Sequence, residues 1–266
     1  MSVGADLQAV REMWQAFRIV QPDIVHTHTP KPGVYGRPTA RLAGVPIIVN
    51  TVHGVYATHD GALRRHLVVY GLERIAAAFS HAELVQNAED FETLAHLGVS
   101  RSELHLLGNG IDFDRFSQTA VPQKQVRAVR EEVGARTSDI VVGAVGRLVW
   151  EKGFRETFAA AARLRANLPN VRFAMVGPDD DDKADAIGPI DRCLAEIEGG
   201  IRFLGMRFDM ESLYAAFDLF VLASWREGFS RLGMEAAAMG LPIVATDVRG
   251  CREVVHHGIT GMLVPP

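Results

Sequence analysis

Cysteine is nearly absent: the 266-residue chain has two, Cys193 and Cys251. Two thiols cannot build a disulfide framework, and neither stands in a metal-ligand spacing. A stapled secreted scaffold and a zinc domain are thereby excluded, and a reducing, intracellular compartment is expected. Long apolar runs are lacking as well. No stretch of eighteen apolar residues occurs, so no spanning helix is expected. Residues 1–18 carry Asp6, Arg11 and Glu12 and do not read as a signal peptide. A cytoplasmic protein, soluble or peripheral at the inner face of the membrane, is the expectation. Nor is there an excess of positive charge. The formal net charge of −4 leaves nothing to neutralise a phosphate backbone, so nucleic acid is not an expected partner.

What is present is ordinary for a globular chain, 48% hydrophobic and 23% charged residues, and its order is informative. Short apolar runs at 23–26, 46–52, 83–86, 103–107, 140–145, 171–176, 201–204, 218–222, 242–245 and 262–264 read as strands. Helical patterns separate many of them, at 62–79, 88–97, 154–167, 210–217 and 231–239. Strands apolar along their length, alternating with helices, predict parallel sheets covered on both faces. The expected class is α/β, with two Rossmann-like doubly wound domains. The alternation lapses at 117–138, which is polar and follows the turn-forming Gly108-Asn109-Gly110. The expected division is therefore 1–116, a linker at 117–138, and 139–266.

In open α/β sheets ligands bind beyond the carboxyl ends of strands, so the chemistry is sought in the loops that follow them. Gly146-Arg147-Leu148-Val149-Trp150-Glu151-Lys152-Gly153 follows one strand and precedes a helix. Two cations bracketed by glycines at the start of a helix suit a diphosphate. Spacing alone equally allows Arg147 and Lys152 to be solvated loop charges. A second loop, from Ser224 to Ser230, leads into the helix holding Glu235. Glu227 at the turn could accept from sugar hydroxyls. Glu235, among Met234, Ala236, Ala237, Ala238 and Met239, either is buried and paired, as with the two hydroxyls of a ribose, or lies on a wet helix face. The amides from Gly228 onward could meet phosphate.

Three clusters offer other chemistry. His26-Thr27-His28 places two imidazoles on one strand face, but no third ligand matches them, so a packed or hydrogen-bonded role is the better reading. His53, beside Gly54 at a strand terminus, is the stronger candidate for lining a site. The four aspartates at 179–182 invite Mg²⁺, yet a block of like charges is usually solvated. Arg64-Arg65-His66 could touch anionic lipid, though three residues make a meagre basic face.

Together the segments PDIVHTHTPKPGVYGRPTARLAGVPIIVNTVHG, LLGNGIDFDRF, GRLVWEKG and EGFSRLGMEAAAMGLPIVATDVRG resemble the family 4 retaining glycosyltransferases of the GT-B fold, of the bacterial surface-polysaccharide type. The last segment, with its two glutamates separated by seven residues, is the specific one. The resemblance implies two domains facing a cleft and a nucleotide-diphosphate sugar as substrate, with no cofactor and no metal. It implies that Gly146, Arg147 and Lys152 hold the donor diphosphate, that Glu227 faces the sugar and that Glu235 holds the ribose. Gly228, Phe229 and Ser230 would lie along sugar and phosphate, and His53 next to the transferred sugar. A lipid-linked or saccharide acceptor is implied as partner, with peripheral membrane contact. The family also opens with a strand and a glycine-rich loop and closes with helices that this sequence does not supply. An incomplete N-terminal domain and poor transfer by this chain are the corresponding expectations. An epimerase of the same fold and a non-catalytic sugar-nucleotide binder are the alternatives. A dehydrogenase is disfavoured because no Gly-x-Gly-x-x-Gly follows any strand.

Overall fold

The structure is a computed structural model that describes residues 3–28, 30–55 and 63–266. The chain divides into two compact units, Met1–Asn109 and Gly110–Pro266.

The N-terminal unit comprises α1 (Val3–Val20), β1 (Ile24–His28), α2 (Pro30–Ala43), β2 (Ile47–Val52), α3 (Leu63–Ala77), β3 (Ala82–Val85), α4 (Ala88–His96) and β4 (Leu104–Leu106). Its strands form one sheet in the order β1-β2-β3-β4, with every pairing parallel. Val25, Ala40, Val45 and Ile48 pack as one apolar cluster, and Val52, Val85, Leu94 and Leu104 belong to another. Between helix and sheet lies a buried polar network. Arg37, fully buried, donates to Glu83 at 2.7 Å, to Glu73 at 2.8 Å and to the Gly33 carbonyl at 2.7 Å. Asn50 donates to the other Glu83 oxygen at 2.7 Å and accepts from Thr27 at 2.8 Å. Every member of the network has a partner, which a buried charge requires. It ties α2 and α3 to β1, β2 and β3.

The C-terminal unit comprises α5 (Gln123–Val133), β5 (Ile140–Val145), α6 (Phe154–Asn167), β6 (Val171–Val176), α7 (Pro189–Gly199), β7 (Ile201–Phe203), α8 (Met210–Ala216), β8 (Leu219–Leu222), α9 (Arg231–Ala238), β9 (Ile243–Thr246), α10 (Arg249–Arg252) and β10 (Gly261–Val264). Its all-parallel sheet runs β10-β9-β8-β5-β6-β7. Alternating residues of β5 enter opposite cores. Val141 packs with residues of α5, α8 and α9, and Val142 and Ala144 pack with residues of α6 and α7. Helices thus cover both faces, as the uniformly apolar strands predict. The stretch 117–138, read as a linker, is part of this unit: Val121, Val129 and Val133 are buried in its larger core. Its polar residues are the outer face of an amphipathic helix.

Strand order places the loops. From β5 the chain steps to β6 on one side, and β8 returns to pair on the other, with Val142 opposite Leu219 and Ala144 opposite Val221. The sheet therefore reverses direction between β5 and β8. In a doubly wound sheet that reversal opens a crevice at the carboxyl edge.

Candidate donor site

Both loops singled out in the C-terminal half leave this edge side by side. After β5, Gly146 donates its amide to the Val176 carbonyl, and the backbone turns through Trp150–Lys152 to Gly153. Gly153 has φ of +72° and caps α6, and a Cβ there would lie 1.9 Å from the Ala223 carbonyl oxygen. Only glycine lets the two loops approach so closely. After β8, the Trp225 amide donates to the Glu151 carbonyl at 3.0 Å, and Arg226 donates to the Glu151 carboxylate at 2.9 Å. That guanidinium holds Glu151 below the usual carboxylate range, against the opposing effect of burial.

Lys152 and Glu227 meet across the gap. Lys152 Nζ donates to Glu227 Oε1 at 2.6 Å, and Ser224 Oγ donates to the same oxygen at 2.8 Å. The Gly250 amide fixes the Glu227 carbonyl at 3.1 Å. Beneath them, burial first and the Glu227 charge second push the Cys251 thiol up to about 12, so it stays protonated beside the site.

Gly228 and Ser230 are buried and Phe229 is half-buried at the entry to α9. The Ser230 hydroxyl accepts from the Gly233 amide at 3.1 Å and so caps the helix. Glu235 is not on a wet face: it is 5% exposed. Its oxygens accept from the Tyr214 hydroxyl at 3.0 Å and from Arg231 at 3.2 Å. Burial first, and the neighbouring carboxylate second, raise the Tyr214 hydroxyl well above its ordinary value. Ser224 and Tyr214 escaped the sequence reading. Ser224 could have been suspected from its place beside Glu227. Tyr214, on another helix 21 residues from Glu235, carried no local signal.

Arg147 turns to the acidic run, donating to Asp180 Oδ2 at 2.5 Å, while Arg192 donates to Asp179 at 2.6 Å. The run 179–182 is solvated at Asp179, Asp181 and Asp182, and two of its four carboxylates also hold arginines, because the run lies against the loop after β5.

In the N-terminal unit β1 extends through His28, so the histidine pair lies within the strand. His28 Nδ1 and His53 Nε2 share a hydrogen bond at 3.1 Å, and His26 Nε2 shares one with Thr51 Oγ1 at 2.8 Å. The His26 and His28 rings are 4.1 Å apart, and burial with these two imidazole neighbours lowers the His26 pKa. The structure thus sets His53 beside the pair, from which it stands apart in sequence. Among the described residues, no group of three or more histidines, cysteines or carboxylates is disposed to hold a metal. The backbone of Arg64, Arg65 and His66 lies in α3, and their side chains fall outside the described set.

Residues 2–115 match the model of the family described as Glycosyltransferase Family 4, and residues 139–266 that of Glycosyl transferases group 1. The chain belongs to the family 4 glycosyltransferases. This glycosyltransferase is 30% identical over 269 residues to the Escherichia coli UDP-Gal:alpha-D-GlcNAc-diphosphoundecaprenol alpha-1,3-galactosyltransferase, covering 99% of the chain and 68% of the relative. It is 25% identical over 249 residues to a Campylobacter jejuni N,N'-diacetylbacillosaminyl-diphospho-undecaprenol alpha-1,3-N-acetylgalactosaminyltransferase, covering 90% and 63%. Among solved structures, Anabaena Alr3699/HepE in complex with UDP-glucose superposes with a TM-score of 0.78 at 24% identity, covering 97% of this chain and 68% of that one. Sucrose-phosphate synthase from Thermosynechococcus elongatus superposes with a TM-score of 0.79 at 22% identity, covering 100% and 67%. These likenesses establish the GT-B fold. No described helix is long and apolar enough to cross a membrane.

Proposed function

We propose that this glycosyltransferase takes a sugar from a nucleoside diphosphate donor and passes it, with retention of configuration, to a hydroxyl of a lipid-linked or saccharide acceptor. The observation that carries the donor half is the Lys152–Glu227 pair at 2.6 Å, poised where the sheet reverses between β5 and β8. A sugar nucleotide brings to that spot both an anion that competes for the lysine and hydroxyls that compete for the glutamate. As the bond from the anomeric carbon to the diphosphate breaks, the acceptor oxygen bonds to that carbon, and the hydroxyl proton passes to the released diphosphate or to solvent. The bonding pair leaves with the phosphate oxygen. Arg147, Lys152 and the amides entering α9, from Gly228 through Ser230, supply countercharge there, in place of a metal. Glu227 holds sugar hydroxyls. Glu235 is the ribose residue: a carboxylate has about four acceptor positions, so its contacts with Tyr214 and Arg231 leave capacity for ribose hydroxyls. A role for His53 beside the sugar rests on the family resemblance alone. The relatives named for diphosphoundecaprenol acceptors support a lipid-linked acceptor and peripheral membrane contact.

The test is acceptor-dependent release of free nucleoside diphosphate from UDP- or GDP-sugars, using undecaprenyl-diphosphate sugars as acceptors. Release only with acceptor present, at a low rate, is expected. An isomerised donor would instead select an epimerase, and saturable binding without release under any acceptor a non-catalytic binder.

A further inference from the structure

The acidic run at 179–182 is a sequence feature that the proposed chemistry leaves unused, and one of its carboxylates sits on a donor-loop cation. The segment between β6 and α7 is fastened along the loop after β5. The Leu148 amide donates to the Pro178 carbonyl at 3.0 Å, the Trp150 amide to the Asp185 carbonyl at 2.9 Å, and the Ile187 amide to the Leu148 carbonyl at 2.9 Å. Val149 and Ala186 form an antiparallel bridge, and the Glu151 amide adds a bond to the Asp185 carboxylate at 3.3 Å. At the base, a Cβ on Gly177 would lie 1.8 Å from the Gly146 carbonyl oxygen. Asp180 itself closes a turn through its carbonyl, which accepts from the Lys183 amide, and Arg192 holds the neighbouring Asp179. The backbone that carries the Asp180 carboxylate is therefore held, with the side chain 22% exposed, whereas Arg147, 52% exposed, reaches it on a flexible stem.

We propose that Asp180 is an intramolecular competitor for Arg147. It parks the guanidinium beside the donor loop and yields it to a ligand phosphate, which sets a charge threshold for donor binding. The inference rests on the reading of Arg147 as a diphosphate ligand. A fixed carboxylate and an incoming phosphate offer the same guanidinium the same kind of charge-assisted hydrogen bond, so one excludes the other. The competitor is singly charged and one side of the pair is open to water, so the contact is weak enough for a diphosphate to displace it. Binding energy is spent on displacement, and apparent affinity falls by the fraction of molecules in which Arg147 is parked.

The experiment is calorimetric titration of UDP at fixed ionic strength into the parent chain and the variants Asp180→Asn, Asp179→Asn, Arg147→Ala and Arg147→Ala/Asp180→Asn. Asp180→Asn should tighten UDP binding ~2–5-fold, the span of an exposed ion pair. Asp179→Asn makes the same change of charge one residue away, on the partner of Arg192, and should have less effect. In the Arg147→Ala background the Asp180 substitution should have no effect, because the contact it removes is already gone. Melting temperatures should stay within a few degrees of the parent's, since the asparagine retains the backbone turn. If Asp180→Asn leaves binding unchanged or weakens it, while Arg147→Ala weakens binding, the competitor is refuted and Asp180 orients Arg147 productively. Equal tightening by Asp179→Asn would reduce the effect to bulk charge and overturn the inference. Unchanged binding in Arg147→Ala, or binding of neither UDP nor GDP by the parent, would sink the donor reading itself.

Discussion

The carboxyl edges of the two sheets follow the same architectural rule and are furnished with opposite chemistry. At the end of β1 and β2 the N-terminal unit gathers imidazoles that bond to one another and to Thr51. At the end of β5 and β8 the C-terminal unit gathers full charges, each cation set against a carboxylate: Lys152 on Glu227, Arg147 on Asp180, Arg226 on Glu151. At the first edge His26 resists charging, because burial and its two imidazole neighbours disfavour an added proton. The second stores charge in pairs that a ligand can exchange for its own. An anionic ligand would find countercharge at the second edge, where the first holds only imidazoles and a hydroxyl.

Substitutions can break or sharpen that contrast. The largest effect is expected from Lys152→Ala. Donor turnover should fall ~10²–10³-fold, the usual cost of losing one transition-state countercharge. Steady-state kinetics checks this, and a change below threefold would place Lys152 outside the site. Next comes the close approach that brings the charged loops together. Gly153→Ala adds a Cβ against the Ala223 carbonyl at a φ of +72°. It should destabilise the C-terminal unit by ~2–4 kcal/mol through strain and overlap, read as a lower urea midpoint. Smaller is the effect of Tyr214→Phe, which removes one hydrogen bond from the buried Glu235 and should cost ~1–3 kcal/mol of stability. Arg231→Ala, at an arginine 66% exposed, should stay within ~0.5 kcal/mol. If the two variants are equal, Glu235 is held from the solvent side after all.

The smallest effect belongs to the imidazole edge. The His26 pKa is lowered in the fold, so its neutral form stabilises the N-terminal unit above the ordinary histidine pKa. That contribution is lost as pH falls through the lowered value. Side-chain NMR titration should find His26 below 6.5, the ordinary histidine value, and His28→Ala should move it upward by removing a like charge. A parent value at or above the ordinary one would contradict the contrast drawn between the edges.

Much of this was legible in the chain. All ten described strands lie within two residues of the apolar runs that announce them, and the central β5 and β6, buried along most of their length, must be apolar throughout. α2 was not. Gly33, Gly36 and Pro38 all argue against a helix, and its tertiary setting overrides them. A Cβ on Gly36 would lie 2.9 Å from Thr27, and one on Gly33 3.1 Å from Asn50, so these glycines let the helix sit close on the sheet. At the site, Lys152 and Glu227 stood out because each is a charged residue at a strand end. Their pairing did not, since 75 residues separate them and strand order alone brings β5 beside β8. The same holds for Asp180, whose partner lies 33 residues back in another loop. A run of like charges looks solvated until the fold sets an arginine against it.

The central claim is that the edge shared by β5 and β8 binds a nucleoside diphosphate through its own cations. Calorimetric titration of UDP and GDP into the parent chain and Lys152→Ala, each in excess EDTA, tests it most directly. The account predicts that one nucleotide binds the parent with the chelator present, and that the variant binds it ~10–100-fold more weakly, the worth of one hydrogen bond to a charged group. Parent binding that EDTA abolishes and Mg²⁺ restores, or a variant that binds as tightly as the parent, would contradict it.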